Sequence, residues 1–358
     1  VARNCDVVVI GGGQAGLAAG YFLRRAGLEF AILDAQSEPG GAWRHMWQSL
    51  RLFSPAEHSP LPGWPMPRQP GVDYPGREHV VEYLARYEQR YALPVHRPVD
   101  VTGVHHADDH LAVRTDQDEW RARMVISATG TWRAPYIPSY PGQDEFTGRQ
   151  LHTISYRGPE QFRGHRVVIV GGGNSAAQIL AEVSAVAHTL WVTHRPPRFM
   201  PDDVDGRVLF DVASRREAAR RSGTGDTDGV AALGDIVMTD IVREARERGV
   251  LHAQPMFTHL TRNSMAWSAG SECPVDDIIW CTGFRPALQH LRPLVLRRHN
   301  GTVPTDGTRA VQQPRLHLLG YGDWTGTASA TLIGAGRTAR TTVTDITQQL
   351  SASRIASF

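Results

Sequence analysis

Val7-Val-Val-Ile10-Gly11-Gly-Gly13-Gln-Ala-Gly16 is the stretch whose reading decides the fold. Four apolar residues in a row, closed by a glycine turn, read as a strand buried on both faces of a parallel sheet. Gly11, Gly13 and Gly16 keep the Gly-x-Gly-x-x-Gly spacing, which lets the backbone turn tightly and approach a pyrophosphate. A helix from Leu17 to Arg25, stopped at Gly27, then aims its free amides at those phosphates. The next strand, Glu29 to Leu33, ends at Asp34, where an acid can accept a ribose hydroxyl.

Roughly 160 positions further on the pattern returns as Arg166-Val-Val-Ile-Val-Gly171-Gly-Gly173-Asn174-Ser175-Ala176, with alanine in the third glycine's place. Two dinucleotide sites in one chain are expected. The strand after the second loop ends Thr193-His194-Arg195 and carries no carboxylate to repel a ribose 2′-phosphate. Those three residues, Arg195 foremost, are candidates to receive the phosphate of NADP, and both NADPH and NADH stay open as donors.

Composition narrows the field. The 358 residues suffice for two domains, and a net charge of +2 points to neither nucleic acid nor an anionic membrane. All basic residues are arginine, which excludes lysine Schiff-base chemistry and a Walker-type phosphate lysine. Cys5, Cys273 and Cys281 form no Cys-x-x-Cys pair, so neither a disulfide framework nor a redox dithiol is expected. No apolar run reaches the ~18 residues of a membrane span, and no signal peptide is read, so the expectation is a cytoplasmic protein.

Between the loops, Pro39-Gly-Gly41-Ala-Trp43 is a second close-approach turn, placed where a long cofactor runs on past the ribose. The proline-rich arm Ser54 to Tyr74 either walls a pocket or covers a sheet edge. His79 to Tyr91 has helical spacing, and Val99 to Thr115 reads as a hairpin. Its tip, His105-His106-Ala-Asp108-Asp109, reads as a solvated turn, since no spacing there matches a zinc pattern. Pro196 to Gly234 reads as a polar insertion rich in arginine, with Arg207, Arg215, Arg216, Arg220 and Arg221 either near a phosphate or on a solvated loop and short helix. A helix at Ile241 to Arg248 and a weak strand near Gln254 to Thr261 follow. Ser127-Ala-Thr129-Gly130 and Cys281-Thr282-Gly283 would each follow the last strand of a nucleotide-binding unit. A further strand closes at Gly320-Tyr-Gly322-Asp323, ahead of a helix from about Ser329 to Ile346. The expected architecture is α/β, with two Rossmann-like domains and the second inserted within the first: residues 1–157, 158–285 and 286–358.

Phe146-Thr-Gly148-Arg-Gln-Leu-His152-Thr-Ile-Ser-Tyr156 is the most specific stretch, although spacing alone makes it only a linker with a buried histidine. It resembles the Phe-x-Gly-x-x-x-His-x-x-x-Tyr identifying sequence of the flavin-containing monooxygenases, the class B flavoprotein monooxygenases, and the chain looks most like the compact bacterial members. The resemblance implies FAD at Gly11, Gly13, Gly16, Asp34, Gly41, Trp43, Thr129 and Asp323. It also implies NAD(P)H at Gly171, Gly173, Asn174, Ser175 and the corner Thr193, His194, Arg195, in the inserted domain. His152 and Tyr156 would position the domains and not exchange protons. Hydride would pass from nicotinamide to flavin, and O2 would form a C4a-(hydro)peroxyflavin that oxygenates small sulfides, amines or ketones. A homodimer is implied at family level only.

One departure stands out. Larger family members place an asparagine at the flavin edge where this chain reads Leu50-Arg-Leu-Phe53-Ser54-Pro55, so Phe53 or Ser54 would take that place. The rival reading is a non-oxygenating NAD(P)H-dependent flavin reductase that passes electrons to a quinone, a metal compound or a protein. A non-catalytic redox sensor is the third.

Overall fold

The computed structural model describes residues 3–222, 234–268 and 270–355. The chain divides into two units, one built from residues up to Arg44, 54–134 and from Arg285 onward, the other from 45–53 and 135–284.

The first unit contributes β1 (Arg3–Ile10), β2 (Phe30–Leu33), β3 (Val95–His96), β4 (Val101–His106), β5 (Leu111–Thr115) and β6 (Glu119–Ser127). The second holds β7 (Arg149–His152), β8 (Arg166–Val170), β9 (His188–Thr193), β10 (Ala253–Pro255), β11 (His259–Leu260), β12 (Ser264–Ala266), β13 (Glu272–Pro274) and β14 (Asp277–Trp280). The chain then returns to the first unit for β15 (Thr305–Asp306), β16 (Arg309–Ala310) and β17 (Gln313–Leu318). In chain order the helices are α1 (Gln14–Arg25), α2 (Arg77–Arg90), α3 (Asn174–Val183), α4 (Gly206–Ser222), α5 (Asp240–Glu247) and α6 (Leu332–Ile355).

In the first unit β17, β6, β1, β2 and β3 run parallel in that spatial order, and β5 folds back antiparallel on β6 with β4 beside it. The four apolar residues of β1 are buried because neighbours cover both faces of a central parallel strand, each side chain contributing about 2 kcal/mol. In the second unit β10, β9, β8, β14 and β7 form a fully parallel sheet, with a separate three-stranded antiparallel sheet from β11 to β13. Each parallel sheet has a glycine turn and a helix after a central strand, the arrangement of a dinucleotide-binding α/β domain.

Several expectations are corrected. The first boundary falls between 134 and 135 rather than at 157, because Arg149–His152 is an edge strand paired with β14 and not a linker. Residues 45–53 also join the second unit: Trp47 is buried there beside Tyr156 and Ile169, and Ser49 bonds Glu182. His105 and His106 lie in β4 and not in a turn. The Thr-Gly turns follow β6 and β14; β14 is the last described strand of the second unit along the chain, whereas in the first unit β15 to β17 come after β6. The single strand expected near residue 257 is two strands, β10 and β11, in different sheets. Within the arginine-rich insertion, 206–222 form helix α4, Arg207 pairs with Asp205, and the side chains of Arg216, Arg220 and Arg221 lie outside the described residues. No described helix is long and apolar enough to cross a membrane, and no described cluster of three His, Cys, Asp or Glu side chains is arranged to hold a metal.

Candidate functional site

The two glycine turns are built alike. Gly11 has φ +107°, and a Cβ there would sit 2.6 Å from the Ala128 carbonyl oxygen after β6. At Gly171, φ is +132° and the same atom would sit 2.3 Å from the Cys281 carbonyl oxygen after β14. Each turn is thus pressed against the neighbouring strand's end, a place only glycine tolerates. Beyond each turn a helix opens with no acid in its first turn, so its free amides face outward as an anion site. Space is left for a ligand: a Cβ on Gly173 would meet nothing within 4 Å, and one on Gly13 would meet only the Gly41 Cα, at 3.8 Å. This cradle fits a dinucleotide pyrophosphate in both units.

In the first unit several expected residues come together. Trp43 Nε1 donates to Gln14 Oε1 at 2.9 Å, and Gln14 Nε2 donates to the Ala330 carbonyl at 2.6 Å, so one side chain ties the Gly41 turn and the approach to α6 to the start of α1. Asp34, at the end of β2, is buried, and Asp323 is exposed in the turn after β17. Thr129 belongs to a polar network the sequence did not reveal: the Tyr321 hydroxyl lies 2.8 Å from Thr129 Oγ1 and 2.6 Å from Ser127 Oγ, which is 3.0 Å from His290 Nε2. These partners are 163 to 194 positions from Ser127 and Thr129, and no local pattern marks them. Burial holds the His290 pKa down at about 4. Ser54 bonds Ser59 through their hydroxyls at 3.0 Å.

In the second unit the Asn174 side chain is committed to backbone: its Oδ1 accepts from Val237 N at 2.8 Å. What Asn174 leaves for an anion is therefore its helix amide and not its side chain, with the Ser175 amide following. Thr193 is buried beside Gly172, which narrows the expected phosphate corner to His194 and Arg195, both exposed. His194 Nε2 lies 3.2 Å from the Tyr140 hydroxyl. Phe53 packs against Met200, Val204 and Val237, and its carbonyl accepts the Gly206 amide at 2.7 Å.

The motif around His152 gains a physical account. Gly148 is required because a Cβ there would strike the Phe146 ring at 2.4 Å and the Asp276 carbonyl oxygen at 2.6 Å. His152 Nε2 donates to the Gly283 carbonyl at 2.8 Å, and its Nδ1 accepts from Ile154 N at 3.2 Å. Burial pushes its pKa below the ordinary value, so it is neutral with both nitrogens used. Tyr156 is fully buried, stacks on Phe162 and donates to Glu182 Oε2 at 2.7 Å; burial first, then Glu182, hold its hydroxyl proton far above the usual range. The cysteines are all free, and burial pushes Cys5 and Cys281 up to about 12, so neither offers a thiolate for disulfide exchange.

Comparison with known proteins agrees with this geometry. The model of the pyridine nucleotide-disulphide oxidoreductase family matches residues 8–320. A flavin-containing monooxygenase from Stenotrophomonas maltophilia is 52% identical in sequence, with a TM-score of 0.89 over 97% of this chain and 99% of that one. An uncharacterised oxidoreductase of Geobacillus kaustophilus is 29% identical over 95% of this chain and 98% of its own length. An indole-3-pyruvate monooxygenase of Oryza sativa subsp. japonica is 26% identical over 78% of this chain and 76% of its own. With two Rossmann-like dinucleotide-binding domains and this match, the chain belongs to the pyridine nucleotide-disulphide oxidoreductase family and, within it, to the flavin-containing monooxygenases, enzymes of the flavin-dependent oxidoreductase class.

Proposed function

We propose that this flavin monooxygenase binds FAD at the Gly11 loop and NADPH or NADH at the Gly171 loop, and transfers one oxygen atom of O2 to a small sulfide, amine or ketone. The observation that carries the assignment is the contrast between two otherwise matching loops. The first strand pair ends in the buried acid Asp34, suited to a ribose diol, and the second ends in exposed His194 and Arg195, suited to a 2′-phosphate. When bound, the flavin supplies hydride acceptance and oxygen activation.

The chain's own residues bind, orient and exclude water. Gly41 and Trp43, Thr129, and Asp323 line the loops that would follow the rest of FAD, and Gly173 with the amides of Asn174 and Ser175 would receive the nicotinamide dinucleotide's phosphates. His152 and Tyr156 position: one fixes the Gly283 turn and the other fixes α3 through Glu182, and neither has a proton to exchange near neutral pH. Phe53 is packed in the second unit against Met200, Val204 and Val237, and Ser54 shares its hydroxyl with Ser59; with no asparagine in this stretch, water exclusion would replace that residue's hydrogen bond.

The test is to release and identify the bound flavin, reduce the protein anaerobically with NADPH or NADH, and admit O2 with a sulfide, an amine or a ketone. Oxygenated product matched to O2 consumed is expected. Stoichiometric hydrogen peroxide with no product from any of the three would favour the reductase that passes electrons elsewhere.

A further inference from the structure

Asp34 does not stand alone. Arg97, just after β3, donates from Nε to Asp34 Oδ2 at 2.8 Å, and its two terminal nitrogens each make a 2.8 Å bond to the two oxygens of Glu88 on α2. The Arg97 and Asp34 side chains are 10% and 7% exposed. All three guanidinium nitrogens are thereby used, and one arginine against two carboxylates leaves the group with a single net negative charge. The triad also touches the phosphate-binding turn: a Cβ on Gly12 would lie 2.6 Å from Asp34 Oδ2 and 2.9 Å from Arg97 Nη2.

Burying such a group is costly, and apolar replacements of buried ion pairs are often no less stable, so stability alone is a poor account of it. Orientation is a better one. An ionised carboxylate has about four lone-pair sites, and here one takes Arg97 while Oδ1 takes a long 3.4 Å contact from Gln36 N. The rest are open to hydroxyl donors, and a planar fork fastened at its far side by Glu88 holds Nε, and through it Asp34 Oδ2, in one place, which limits how the carboxylate can turn.

We infer that Arg97, braced by Glu88, is a positioning residue that fixes the Asp34 carboxylate so that its remaining lone pairs accept the adenosine ribose hydroxyls of the dinucleotide at the first loop. This rests on the reading of that loop as the FAD site. Arg97 touches no reacting atom; it acts through Asp34. Its signature is a loss of discrimination for the ribose rather than a general loss of binding.

The experiment strips the flavin from the full-length chain and measures, by flavin fluorescence, rebinding of FAD and of its 2′-deoxyadenosine analogue. The proteins are the wild type, Asp34→Asn, Arg97→Met and Glu88→Gln. The wild type is expected to prefer FAD by about tenfold. Arg97→Met and Glu88→Gln are expected to weaken FAD by about tenfold while leaving the analogue within about twofold, so that the preference disappears. A parallel loss for both ligands, with the preference kept, or no change at all, overturns the inference. If Asp34→Asn erases the preference and the Arg97 and Glu88 variants retain it, the inference fails while the FAD reading stands. If the wild type itself has no preference, the inference fails while the FAD reading stands; if the wild type does not rebind FAD at all, the FAD reading fails as well. Glu88→Gln keeps the shape of the triad and decides the matter should Arg97→Met fail to fold.

Discussion

Tyr156 shows how a motif residue can matter without doing chemistry. Its hydroxyl is spent on Glu182, which also receives Ser49, so one carboxylate joins the 45–53 segment to α3 and the motif. Tyr156→Phe is expected to cost about 1–2 kcal/mol in urea unfolding and to leave the pH profile of flavin reduction unchanged up to pH 9. A shifted alkaline limb in that profile would instead make the tyrosine a proton donor. Arg195, exposed at the end of β9, belongs to a different test: Arg195→Ala is expected to raise the KM for NADPH by about tenfold and to leave that for NADH unchanged. Steady-state kinetics with the two donors reads this directly. At this scale the glycines and Asp34 were legible in sequence because the motif that marks them, glycine spacing after one strand and an acid at the end of the next, is written within a few positions of each. Arg97, Tyr321 and His290 were not, since each meets its partner in the first unit across 63 to 194 positions, and Glu88, though nine positions from Arg97, sits on a helix whose spacing says nothing of a partner after the next strand.

Among the elements, β7 carries the clearest lesson. Four residues, only two of them buried, give no periodicity to read, and the stretch becomes a strand because the edge of β14 is there to receive it. Asp277 at the start of β14 helps fix that edge: Arg149 Nε bonds its Oδ1 at 2.5 Å from β7, and His165 Nδ1 lies 2.6 Å from its Oδ2 just before β8. Asp277→Asn, which keeps the shape and removes the charge, is expected to destabilise the second unit by about 2 kcal/mol, with Arg149 half exposed and the loss reduced accordingly. Urea unfolding with limited proteolysis between residues 135 and 165 checks it. The proline-rich arm was ambiguous in sequence for a related reason. Tyr83 accepts the Leu61 amide at 2.7 Å and donates to the Trp64 carbonyl at 2.8 Å, and Tyr87 donates to the Pro62 carbonyl at 2.6 Å, so α2 and not the arm's own composition sets its course.

For the whole molecule, buried histidines tie stability to pH. Burial holds His290 and His317 down at about 4 in the native state, against an ordinary value near 6.5 once unfolded. Between pH 6.5 and 4 the unfolded chain therefore binds about two more protons than the native one. Stability falls as pH falls through that window, by at most about 2–3 kcal/mol per pH unit, and is fully present above it. Urea unfolding from pH 4 to 7.5 is the measurement, and His317→Asn is expected to halve the slope. What the sequence by itself determined is the pair of dinucleotide loops, the α/β class, the arginine-only basic complement and the absence of a redox dithiol, because glycine spacing, strand hydrophobicity and composition act within a few residues. Tertiary structure alone decided the unit boundary at 134/135, the edge strand at 149–152, the burial of Thr193 and the brace behind Asp34. Those features rest on strand pairing, burial and charge pairing between segments far apart in the chain, and such contacts exist only once the sheets have formed.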